Sequence, residues 1–139
     1  MDNETIHIIL RTISAVAWAD GKLTEGEKKH LIDTCANIGD VSEKEVESIL
    51  SKKEEIDTIL PDIKNLPIVI VGELLNFCYR NAMTNGRVNI DEARVMKKIA
   101  MQFWPEHKAN LALKWVKRVY DAEQYYMELF LLPQVKEQG

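Results

Sequence analysis

Glycine and proline are scarce in this 139-residue chain, with 6 and 4 copies, and runs of alternating β-branched residues between turn clusters are missing. A sheet-rich fold needs both that alternation and that punctuation, so the expected class is all-α. Cysteine is almost absent. Cys35 and Cys78 lie in apolar helical contexts without C-x-x-C spacing, which argues against a disulfide framework or a zinc site and for reduced intracellular thiols. The longest strongly apolar run, Leu66 to Val71, is far too short to span a bilayer. Met1-Asp2-Asn3-Glu4 offers no basic segment before an apolar core, so no secretory signal is expected. There is no phosphate-cradling glycine loop, no nucleophile-elbow context at Ser14 or Ser51, and nothing beside either cysteine to lower its pKa. A soluble, cytoplasmic, non-enzymatic protein is the expectation.

Length and composition fit one compact domain over residues 1–139, with 46% hydrophobic residues and close to ~70% of the unfolded surface buried on folding. The net charge of −4 is unevenly spread: residues 1–66 hold 8 basic and 14 acidic side chains, residues 67–139 hold 10 and 8. An acidic first half suits cations or a basic partner, and the absence of a clustered basic stripe argues against nucleic acid.

One eight-residue device occurs twice, 65 positions apart: Asp20-Gly21-Lys22-Leu23-Thr24-Glu25-Gly26-Glu27 and Asn85-Gly86-Arg87-Val88-Asn89-Ile90-Asp91-Glu92. Each element has a task at a helix junction. Glycine permits the positive φ at which one helix stops. Thr24 and Asn89 cap the next helix, and Glu27 and Glu92, three residues later, close a capping box. The doubling predicts two helix-loop-helix units related by a pseudo-twofold, within about seven helices.

The remaining punctuation sets the other boundaries. A first helix over 5–19, with Asn3 as its cap, carries Ile6, Ile9, Leu10, Ile13, Val16 and Ala17 at helical spacing. A second spans 25–38 and stops at Gly39. Ser42-Glu43-Lys44-Glu45 opens a short third helix to Lys52. Residues 54–60 make a turn or two before Pro61, with 61–66 as a connector. Pro67 suits the first position of a helix over 67–84. The next, 90–103, places Ala93, Met96, Ile99, Ala100 and Phe103 on one face until Trp104-Pro105 breaks it. The last runs from Glu106 to Leu132, ended by Pro133. Its stripe of Leu111, Trp115, Val116, Val119, Tyr126, Leu129, Phe130, Leu131 and Leu132 is wider than one face of a surface helix. Such a stripe is either buried or a partner surface, and burial is the expectation. Trp18, Trp104 and Trp115 are expected in the core for the same reason.

The two loops also gather carboxylates. Against the calcium-loop pattern D-x-[DN]-x-[DN]-G-x5-E, each copy fills the second half alone. The first ligand positions fall on Val16 and Trp18, and in the second copy on Asn81 and Met83, too few oxygens for a closed cage. Packing the loops face to face would bring Asp20 and Glu27 towards Asn85, Asp91 and Glu92, a set suited to Ca²⁺, Mg²⁺ or Mn²⁺. His30, one turn beyond Glu27, would add a nitrogen ligand suited to Zn²⁺ or Mn²⁺. His7 and His107 have no second histidine at i+4 and are not expected to bind metal. Helix capping accounts for the glutamates equally well, and an aspartate before glycine is ordinary turn chemistry.

The stretches Ala17-Trp18-Ala19-Asp20-Gly21-Lys22-Leu23-Thr24-Glu25-Gly26-Glu27 and Ala82-Met83-Thr84-Asn85-Gly86-Arg87-Val88-Asn89-Ile90-Asp91-Glu92 resemble the TerB-like family of tellurite resistance proteins. The resemblance covers about residues 5–132. It implies an all-helical cytoplasmic domain in tellurite or broader chemical-stress response, divalent-metal binding (Ca, Mn, Mg or Zn) at the acidic loops, and association with membrane-bound complexes. Its metal positions map to Asp20, Glu27, Asn85 and Glu92. Asn85 departs from the pattern, because an amide offers a neutral oxygen in place of a charge. A metal-free scaffold docking a protein partner through the aromatic end of the last helix is the alternative.

Overall fold

The computed structural model describes residues 2–36, 38–39 and 41–131, with the side chain of Asn85 outside that description. Seven α-helices and no strand occur among them: α1 Asn3–Ala17, α2 Glu25–Cys35, α3 Glu43–Leu50, α4 Ile56–Ile63, α5 Ile68–Ala82, α6 Ile90–Ala100 and α7 Glu106–Tyr126. A short 3₁₀ turn, Met83–Asn85, follows α5, and a π-turn, Met127–Leu131, continues α7. Leu132 and Pro133, where the sequence places the end of the last helix, lie outside the described residues.

Helix α1 is the centre of the bundle, packed by α3, α4, α5 and α6. Its expected apolar face is buried, and so are Ile8, Thr12, Ser14 and Ala15. A helix apolar on nearly every side must be covered on nearly every side. Its two buried hydroxyls are satisfied, one within the helix and one across to α3: Thr12 Oγ1 donates to the Ile8 carbonyl at 2.7 Å and Ser14 Oγ to that of Ile49 at 3.4 Å, so burial leaves no unpaired donor. The cap is Asp2 in place of Asn3, with Oδ1 accepting from the Thr5 N–H at 2.8 Å.

Other boundaries also move. Helix α4 runs through Pro61, where the sequence suggests a stop. Ile56, Ile59 and Ile63 share one face and are no more than 5% exposed; at ~1.5–3 kcal/mol each, their burial outweighs the ~3 kcal/mol that an interior proline costs. Pro67 is the N-cap of α5 and not its first helical residue. Helix α2 ends at Cys35 and α6 at Ala100, each short of its expected end. Ala93 is exposed, and the buried face of α6 is Met96, Ile99 and Ala100.

Arg11 of α1 ties the centre to the rim. Its Nε donates to Glu54 Oε1 at 3.0 Å and its Nη1 to Asp62 Oδ2 at 3.2 Å. The side chains of Arg11 and Glu54 are 29% and 28% exposed, so the pair is partly shielded. The guanidinium holds the Glu54 carboxyl below its ordinary 4.5, chiefly by hydrogen bonding. A depressed carboxyl contributes stability above its unfolded pKa and loses it as the pH falls through the folded value. Glu54→Gln is therefore expected to cost about 1 kcal/mol at pH 7. In urea titrations across pH, that difference should shrink towards zero in the acid limb below the ordinary value of 4.5.

Both cysteines are free and buried. Burial pushes the Cys35 thiol up to about 11 and raises that of Cys78 as well, so both stay protonated and unreactive.

Candidate metal centre at the paired acidic loops

Each loop forms as its residue types require. Gly21 and Gly86 adopt φ of +83° and +91°, the left-handed region that a Cβ penalises. In the first loop the Gly21 N–H donates to the Trp18 carbonyl at 2.8 Å, and Asp20 Oδ1 accepts from the Lys22 N–H at 2.9 Å. That bond is an Asx turn, and it occupies one carboxylate oxygen. Trp18 is held in turn, its indole N–H donating to the Leu50 carbonyl at 2.7 Å. Half-buried, it serves as a wedge between α1 and α3, whereas Trp115 is exposed.

The two caps differ in detail. Asn89 Oδ1 accepts from the Glu92 N–H at 2.8 Å, and Glu92 Oε1 accepts from the Asn89 N–H at 3.2 Å, completing the box. Thr24 Oγ1 accepts from the Glu27 N–H at 3.1 Å and donates to Glu27 Oε1 at 3.0 Å. A hydroxyl, and not the backbone, therefore steadies the Glu27 carboxylate.

The loops lie side by side. Asn89 Nδ2 reaches Asp20 Oδ2 at 3.5 Å across 69 positions of sequence. Beside this bridge, Ala17, Gly26, Glu27, His30, Asn81, Thr84 and Glu92 line a cleft of about 370 Å³. Glu92 records the crowding: burial first, then the charges of Asp20 and Glu27, push its carboxyl above the ordinary 4.5 against the lowering effect of the Asn89 N–H. Three of the four expected metal positions, Asp20, Glu27 and Glu92, thus belong to one electrostatic cluster. The fourth, the Asn85 side chain, lies outside the described residues. Asp91 turns to Arg94 instead, Nη1 to Oδ1 at 3.7 Å.

Sequence reasoning had no means of pairing Asn89 with Asp20, since the contact is between loops. It touched Asn81 as the first ligand position of the second calcium-loop copy, and Asn81 does line the cleft. Thr84 had no such signal. The donors fit a hard divalent ion in type: carboxylates, an amide and a hydroxyl, with an imidazole at the edge. Their spacing is looser than their type. Among the described residues, no three carboxylate, imidazole or thiol groups stand close enough together to enclose an ion.

The last helix departs most from expectation. Ala109 and Val116 are its buried residues, while Leu111, Trp115, Val119, Tyr125, Tyr126, Met127, Leu129, Phe130 and Leu131 are exposed. The face turned to α5 and α6 is a separate stripe, with Tyr120 edge-on to Tyr79 at 5.5 Å. No helix among the described residues is long and apolar enough to cross a membrane. Comparison of the chain with protein-family models, curated proteins and solved structures returned no match.

Proposed function

We propose that this chain is a non-enzymatic, TerB-like module of the cytoplasm that binds or senses a divalent cation between its two acidic loops, in tellurite or broader chemical-stress response. The observation that carries the reading is Glu92, half-buried beside the cleft, whose carboxyl is raised first by burial and then by the neighbouring charges of Asp20 and Glu27. Like charges held together against their repulsion are relieved by a cation, and the fold sets Glu27 and Glu92 in the first turns of α2 and α6, with Asp20 in the turn before α2. Asp20, Glu27 and Glu92 would hold the ion; of these Glu27 and Glu92 line the cleft, together with Asn81 and Thr84. A bound ion would supply positive charge between the loops and draw them together. The resemblance of both loops to TerB-like proteins supplies the stress-response context and an association with membrane-bound complexes.

Titration with Ca²⁺, Mn²⁺ and Zn²⁺ tests this directly. Ten times the dissociation constant of the right ion should stabilise the protein by about 1.4 kcal/mol. An Asp20→Asn, Glu27→Gln double variant should lose that gain while keeping its helical circular dichroism. Absence of both binding heat and thermal stabilisation at millimolar metal would refute the reading.

One observation favours a second reading, a metal-free scaffold docking a protein partner through α7. The aromatic end of that helix is exposed, with Tyr125 at 62% and Phe130 at 56%, a contiguous patch of the kind that marks interaction sites.

A further inference from the structure

Helix α7 carries a second apolar stripe on a face its own bundle does not use. Leu111, Trp115, Val119, Ala122 and Tyr126 recur at spacings of 4, 4, 3 and 4, and Phe130 in the π-turn adds another 4. At 3.6 residues per turn they fall within an arc of about 100°, and all six are exposed. The stripe reads alike in both directions about a point between Tyr120 and Asp121: Leu111 answers to Phe130, Trp115 to Tyr126, Val119 to Ala122.

Past its first turn, where Glu106 pairs with Lys97 of α6 at 2.9 Å, α7 is polarised in charge along its length. From His107 to Arg118 the charged side chains are Lys108, Lys114, Lys117 and Arg118, all basic; from Val119 to Leu131 they are Asp121, Glu123 and Glu128, all acidic. A helix stabilised for its own sake has the reverse order, acids early and bases late, to complement its dipole. Local pairing absorbs part of this, with Lys117 Nζ 3.5 Å from Asp121 and Arg80 Nε 3.4 Å from Glu123. The Arg118 guanidinium lies 5.0 Å over the Trp115 ring, at the edge of the stripe.

We propose that α7 packs antiparallel against the α7 of a second copy, making the protein a twofold-symmetric dimer. The proposal shares with the scaffold reading the use of α7 as an interface and names the occupant. A twofold contact must be self-complementary. Antiparallel pairing satisfies this twice, laying the palindromic stripe on itself and setting each basic half against an acidic half. Parallel pairing sets like charge against like. The opposed dipoles also favour the antiparallel arrangement. The exposed stripe offers roughly 600 Å² per copy, near the lower limit for a specific interface, so a weak dimer that dissociates on dilution is expected.

Sedimentation of the full chain from about 1 to 300 μM should follow a transition from 16.0 kDa to twice that mass. Trp115→Glu and Tyr126→Glu, at side chains 55% and 57% exposed, should each weaken association at least tenfold with unchanged helicity. A spin label at Asn110 fixes the direction: antiparallel helices separate the two labels by ~30 Å at 1.5 Å per residue, parallel ones by ~10 Å. A wild-type chain that stays at 16.0 kDa throughout overturns the proposal and leaves α7 to a different protein. A dimer indifferent to both glutamates, or one with the short label separation, overturns it equally.

Discussion

Ile99→Ala is expected to cost about 3 kcal/mol, within the usual range for emptying a buried isoleucine site, and to lower the melting temperature by roughly 10 °C for a domain of this size. Ile99 is 0% exposed and sits on α6 between its contacts with α1, α4 and α7. No single neighbour can collapse into the space without pulling away from another, so the cavity should persist. Urea denaturation should show a lower midpoint with unchanged slope. The effect should also reach the acidic loops, because α6 begins at Ile90 and carries Glu92 in its first turn. A helix free to shift holds Glu92 less firmly against Asp20 and Glu27, so any cation response should weaken along with stability. Ala93→Ser on the same helix is the control. Ala93 is exposed, and its replacement should stay within about 0.5 kcal/mol of wild type.

That pair of residues shows where sequence reading succeeds and where it stops. Periodicity placed both Ala93 and Ile99 on one face of α6, but the helix turns only part of that face to the core. Local signals fared better. Positive-φ glycines at 21 and 86, the Thr24, Ser42 and Asn89 N-caps, and the break at Pro105 formed as expected, because each is decided within about four residues, although of the three expected capping boxes the one at Asn89 closes in full. Pro61 misled for the complementary reason: its cost is local, while the isoleucines that override it gain their energy from neighbours distant in sequence. Helix α1 looked amphipathic and proved central, since how many helices surround another is a property of the whole bundle. Helix α7 erred the other way. Its breadth of apolar residues was legible, but a wide stripe is compatible with burial inside the fold or against another molecule, and α5 and α6 cover one part of it alone. At the loops, the identities of Asp20, Glu27 and Glu92 were legible, and their approach was expected on the condition that the two loops pack face to face, a condition that rests on how α1 and α6 pack.

Glu92→Gln is expected to make the protein more stable at pH 7 and less responsive to divalent cations. Glutamine keeps an amide oxygen where Glu92 Oε1 accepts from the Asn89 N–H at 3.2 Å, so the capping box survives. What disappears is a charge that burial and the nearby Asp20 and Glu27 disfavour. The sign follows from linkage. A carboxyl whose folded pKa is raised contributes stability that is fully present below its unfolded value, 4.5, and lost as the pH rises through the folded one. Wild type should therefore match Glu92→Gln in acid and fall behind it towards neutrality, in melting curves recorded across that range. Glu92→Ala separates the two roles, since it removes the same charge and also the cap, at about 1 kcal/mol. Millimolar Ca²⁺ or Mn²⁺ should raise the melting temperature of wild type and close its deficit to Glu92→Gln, whose own curve should barely move. If glutamine proves destabilising at pH 7, capping governs Glu92 and the repulsion is too weak to matter. If it stabilises while the cation response survives intact, the ion is held elsewhere on the two loops. If both expected outcomes hold, Glu92 is a side chain that costs stability as a charge and would cap as well as a neutral amide, which is what the proposed cation site requires of it.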